Sequence, residues 1–213
     1  MIHSLRALVL FLATMVISSC TPAKPASSSV EHKKKAVPVA VFEVALDESF
    51  TPDEEAQIKK SLKEWNDASD GYVGFAVREK KFDSKGQISY ENVERDEDGC
   101  TNFTLIVRAT SDMPLIKDIE EQIGTKIGGY TDKRCEVNAV FIVADRMKNM
   151  PTFKEVMTHE LGHLIGLAHI PVPERSVMFP GMDHATKCIT ELDVAQLCLL
   201  YGCDASKITP VCL

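Results

Sequence analysis

Eleven consecutive residues, 159 to 169, read HELGHLIGLAH and set three histidines and a glutamate at offsets suited to holding a metal. His159 and His163 are four positions apart, which on a helix places two imidazoles on one face, about 6 Å apart at Cβ. Both nitrogens can then reach one zinc ion at about 2.0 to 2.1 Å. Glu160 stands one position off that row. A carboxylate there can reach a water on the metal without becoming a ligand, which is the placement of a general base. Gly166 can take a left-handed conformation and turn the chain out of the helix. The turn lets His169 supply a third nitrogen from another direction, whereas an unbroken helix would carry it about 9 Å beyond His163 along the axis. Three protein ligands leave a fourth position for water, which separates a catalytic zinc site from a closed structural one. The expected cofactor is one catalytic Zn2+.

Such a site needs a scaffold, and the flanking sequence supplies signals for one. Thr152-Phe153-Lys154-Glu155 reads as a capping box opening the helix of His159, with Phe153, Met157, Leu161 and Leu164 as an apolar row expected to lie against a sheet. Thr51-Pro52-Asp53-Glu54 is a second capping box. Ile58, Leu62 and Trp65 follow at helical spacing, and that helix should end near Gly71. Trp65 falls on the apolar period and is read as packing rather than as a ligand. A third start, Thr190 with Asp193, precedes Leu192, Ala195, Leu199 and Leu200, with Gly202 where a helix would stop. Apolar runs at 37–45, 73–77, 103–107 and 139–144 read as buried strands.

The extended motif resembles the zinc signature of metzincins, and Ser176-Val177-Met178-Phe179-Pro180 is similar to the Met-turn of the matrixin, or matrix metalloproteinase, branch. The resemblance implies an α/β (α+β) metzincin-like catalytic domain with a twisted, mostly parallel sheet and two long helices. The zinc helix would end at Gly166, and a small C-terminal subdomain would hold one helix. It gives Met178 the role of a hydrophobic floor under the zinc. It implies an extended substrate lying along an edge strand near 128–131, and a specificity pocket walled by Phe179, Pro180, Gly181 and Met182. The expected activity is zinc-dependent endopeptidase hydrolysis of protein or peptide substrates by a zinc-bound water activated by Glu160. The other reading is a catalytically inactive zinc-binding surface interaction module. Ile170 stands where matrixins usually carry a small polar residue, and the Pro-Arg-Cys-Gly inhibitory segment has no counterpart. His32 and His184 do not suffice for a second, structural zinc; His184 is read as a loop residue.

The chain is 213 residues long with a formal charge of -7, which suits one principal domain and leaves no basic footprint for nucleic acid. Arg6 followed by an apolar stretch to Ile17 and then Ser18-Ser19-Cys20 resembles a bacterial lipoprotein signal. Residues 1–19 are then a signal peptide, 20–36 a lipidated Cys20 on a Pro, Ser and Lys-rich flexible tether, and 37–213 the peptidase domain. The implied location is across the inner membrane and lipid-anchored, at the bacterial outer membrane or cell surface, with the membrane as a partner through Cys20. The six other cysteines, Cys100, Cys135, Cys188, Cys198, Cys203 and Cys212, suit up to three disulfides in an oxidising compartment. Cys100 with Cys135 is the expected pair in the strand region. Cys188 is expected to reach Cys212 or another cysteine rather than Cys198, because ten helical residues would span about 15 Å.

Overall fold

Uninterrupted apolar runs call for cover on both faces, and the central sheet of this protein has it. The structure, a computed structural model, describes residues 40–84, 97, 100–101, 103–134, 137–172, 175–181, 187–208 and 210–211. All of these fall within the unit Ala36–Leu213. The signal, the tether and Cys20 lie outside the described residues.

Strands β1 (Ala40–Leu46), β2 (Val73–Val77), β3 (Thr104–Ala109), β4 (Gly129–Arg134) and β5 (Val137–Val143) form one sheet in the order β2-β1-β3-β5-β4. Every pairing is parallel except β4 with β5, where Gly129 faces Ile142 and Thr131 faces Val140. Side chains alternate between faces along a strand. Val44, Leu46, Ile106, Val140 and Ile142 turn toward helices α1 (Pro52–Ala68) and α3 (Met150–Leu164), meeting Ile58, Leu62, Trp65, Phe153, Met157, Leu161 and Leu164. Ala45, Leu105, Val107, Phe141 and Val143 turn the other way, onto Met113 and Ile116 at the start of helix α2 (Pro114–Ile123). The expected mostly parallel sheet with two long helices is therefore present. Helix α4 (Glu191–Tyr201) follows, with a short 3-10 turn at Ala205–Lys207 after it.

Local signals set several of these boundaries. The Thr51 and Glu54 capping box of α1 forms, and Arg108 Nε donates to both oxygens of buried Glu54, tying β3 to the start of α1. The Thr190 and Asp193 box of α4 forms too, and α4 ends at Gly202 in the left-handed conformation. The box read at 152–155 does not form. Asn149 caps α3, accepting from the N–H and hydroxyl of Thr152, which lies inside the first turn beside Pro151. Asn149 is an equally good cap three positions earlier, and proline favours the first turn.

The buried side of α4 does not follow the most apolar residues of the helix. Val194, Leu197 and Cys198 are buried with Asp193, while Leu199 is 86% and Leu200 54% exposed. The helix is apolar on most of its sides, so periodicity alone could not choose the face. Asp193 chooses it through the hydrogen bonds described below.

Cys198 is bonded to Cys203 across the turn at Gly202, with Cα atoms 4.5 Å apart. Cys100 and Cys188 are also disulfide-bonded. Cys135 and Cys212, their expected partners, lie outside the described residues. No helix among the described residues is long and apolar enough to cross a membrane.

Candidate active site

Helix α3 reaches the site already fixed in register by α1. The indole N–H of buried Trp65 donates to the carbonyl of Thr158 at 2.8 Å, and Ser61 Oγ lies 3.0 Å from the Thr158 hydroxyl. The next residue is His159. Trp65 is thus the packing residue the sequence suggested, with its one polar atom satisfied.

The helix ends where the motif requires it to. Leu164 is its last residue, and Gly166 follows with φ +102, a conformation that L side chains rarely adopt. The N–H of Leu167 returns to Gly162 O at 2.9 Å, and the chain folds back so that His169 approaches the two helical histidines. Ring centroids of His159, His163 and His169 lie 4.7 to 5.3 Å apart, and one nitrogen from each falls within 4.8 Å of the others.

The hydrogen bonds choose which nitrogens face inward. His159 Nδ1 bonds to Val177 O at 2.7 Å and His163 Nδ1 to Leu167 O at 2.9 Å. A carbonyl can only accept, so each Nδ1 carries the proton and each Nε2 presents a bare lone pair. Burial lowers the pKa of all three rings. That of His159 falls to about 4, although the bond to Val177 opposes the shift. His163 is lowered by burial against the pull of Leu167, with His169 and Lys133 adding repulsion, and His169 is lowered by burial alone. The imidazoles are therefore neutral at pH 7, the form that binds metal. Nitrogens on one tetrahedral zinc stand about 3.4 Å apart; the Nε2 atoms of His163 and His169 are separated by 3.1 Å. The donor set fits a zinc ion with one position open.

Glu160 is only 6% exposed and lies between α3 and the edge strand β4. Burial pushes its carboxyl up to about 7, partly offset by a hydrogen bond from the Thr131 hydroxyl to Oε2 at 2.7 Å. A carboxyl in that range can both take and give a proton near neutral pH.

Below the histidines runs the Met178 turn, organised by one buried carboxylate. Asp193 accepts from the hydroxyl of Ser176 and from the N–H groups of Val177 at 3.1 Å and Thr190 at 2.8 Å. Val177 in turn holds His159 through its carbonyl, so the fixation runs from Asp193 through one peptide unit to the His159 ring. Met178 is fully buried against α3 at Gly162, and its carbonyl accepts from Ile170 N at 2.9 Å, pinning the chain after His169.

The site opens into a cleft of about 930 Å³, lined by Gly129, Tyr130 and Thr131 of β4 and by Phe179, Pro180 and Gly181. Met182, the fourth pocket residue expected from the sequence, lies outside the described residues. The sequence singled out His159, Glu160, His163 and His169, which line one cleft together with Phe179, Pro180 and Gly181, and Met178, which is buried against α3. It missed the service of Gly129 and Thr131 to Glu160, and that of Asp193 to the turn. The Thr190 capping box pointed to Asp193 but disclosed only one of its two tasks.

The sequence matches the family model for matrixins, the M10 peptidases, over residues 32–202. Among solved structures, high choriolytic enzyme 1, a hatching-enzyme zinc-protease from the medaka fish Oryzias latipes, is similar with a TM-score of 0.46 and 16% identity, over 85% of this chain and 99% of that one. Archaemetzincin from Methanopyrus kandleri is similar with a TM-score of 0.47 and 14% identity, over 74% of this chain and 93% of that one. No curated protein sequence matches.

Proposed function

Since the chain belongs to the matrixin family, we propose that it is a zinc-dependent endopeptidase in which His159, His163 and His169 hold the metal and Glu160 is the general base. The observation that carries this reading is the convergence of three neutral histidine nitrogens beside a buried carboxyl poised near neutrality, at the mouth of a cleft bordered by a sheet edge. Zinc held there would polarise a carbonyl and make water acidic enough to attack near pH 7.

The chain's own groups do the rest. Glu160 accepts the proton of the attacking water and, once protonated, gives it to the departing amine. As the last strand, β4 offers main-chain donors and acceptors to an extended peptide, a mode that binds many sequences alike. Phe179, Pro180 and Gly181 form the wall that would sort side chains.

The test is hydrolysis of denatured casein by the zinc-loaded full chain, beside Glu160→Gln and a chelated control. Cleavage lost in both controls is the expected result. No cleavage by wild-type protein holding one zinc per chain would overturn the peptidase reading in favour of a zinc-binding surface module.

We also propose that residues 1–19 are a lipoprotein signal and that Cys20 is acylated, placing the domain on a tether at a bacterial membrane. Palmitate labelling that persists in Cys20→Ser would refute it.

A further inference from the structure

We propose that Thr131 is a positioning residue for Glu160 and that Gly129 completes its seat, an inference that rests on the peptidase function above. Gly129 and Thr131 are two apart on β4, so both face α3, whereas Tyr130 turns to the opposite face and packs on Phe141 with ring centroids 6.3 Å apart.

On the α3 face the two positions do complementary work. A Cβ at position 129 would fall 2.6 Å from Cγ and 2.8 Å from Oε1 of Glu160, so the space a side chain would need is already filled by the base. At position 131 the hydroxyl lies 2.7 Å from Oε2 and 3.0 Å from the main-chain carbonyl of the same glutamate. A strand residue that merely tied β4 to the helix would need only the carbonyl contact. The shorter contact, to the carboxylate, fixes which way the base points.

The carboxylate is thus held from two sides by the strand that would carry the substrate. Gly129 limits its position by shape, and Thr131 its rotation by a hydrogen bond to a charged acceptor, which is stronger than one between neutral groups. Valine has nearly the shape of threonine and lacks the donor, and serine keeps the donor and loses a methyl, so the pair separates orientation from packing.

The experiment compares the zinc-loaded full-length wild type, Thr131→Val and Thr131→Ser at equal zinc content, and adds crystal structures of the metal-free wild type and Thr131→Val. Loss of the donor should lower kcat about tenfold to hundredfold with KM within about twofold, and serine should restore kcat to within about threefold of wild type. The Glu160 carboxylate should swing away from its wild-type position in the valine variant. A valine variant that keeps kcat within about twofold of wild type overturns the proposal. If zinc-loaded wild type cleaves nothing, the function above fails while the seat is still decided by the crystal structures: a displaced carboxylate supports it, and an unmoved one refutes it.

Discussion

The sulfur of Met178 occupies the place where a side chain at position 162 would begin: a Cβ on Gly162 would fall 2.2 Å from Sδ, and 3.1 Å from the ring of Trp65 behind it. Helix, turn and core tryptophan are thus fitted together through one missing methyl.

Gly162→Ala should therefore force Met178 out of its place. Overpacking of this kind destabilises by about 1–3 kcal/mol, and because Met178 belongs to the turn that holds His159, zinc affinity should fall with it. Chemical denaturation of the metal-free protein and chelator competition check the two effects separately.

Asp193→Ala should reach the metal without touching it. Removing a charged acceptor costs about 1.5–3 kcal/mol for one such bond, and several donors here would be left without it. Loosening the shell around metal ligands weakens binding by about 10- to 100-fold. Isothermal titration of the variant with zinc should show this loss while the far-ultraviolet spectrum stays close to wild type.

Acid should act at the rim of the cleft. Glu120 is held down to about 2, first by the hydrogen bond from Arg146 and then by the N–H of Ile127, and Arg146 also donates to Ile127 O just ahead of β4. A carboxyl with a depressed folded-state pKa stabilises above its unfolded value of 4.5, and that contribution is lost as pH falls toward 2. Glu120→Gln should flatten the decline of Tm between about pH 4.5 and 2 relative to wild type; parallel curves would show that the pair contributes nothing.

Metal removal should be felt as stability as well as activity. A ligand at a thousand times its Kd stabilises the folded state by about 4 kcal/mol, so zinc should raise Tm and chelation lower it reversibly. His163→Ala, lacking one of the three donors, should show little of this shift in a calorimeter.

What the sequence disclosed follows from how local each signal is. HELGHLIGLAH exposes the three converging histidines because helical spacing converts offsets into directions, and Gly166 marks the exit because few other residues accept its φ of +102. Strands β3 and β5 are legible as apolar runs buried on both faces. Strand β4 is not, because its Gly-Tyr-Thr-Asp-Lys-Arg run has no apolar pattern and its place was implied only by family likeness. The seat of Glu160 joins residues about thirty positions apart, and no window of sequence contains both sides of it. The buried face of α4 is not legible for a related reason, since Asp193 is polar and periodicity counts it against burial.

Strand β4 both borders the cleft and holds the Glu160 carboxylate. Because Glu160 is gripped by β4 from one side and carried by α3 on the other, the spacing of strand and helix and the aim of the carboxylate are a single mechanical coordinate. A compound that wedged the edge strand away from the helix would disarm proton transfer while leaving all three histidines untouched. Inhibition of this kind would survive excess zinc and would not register as chelation.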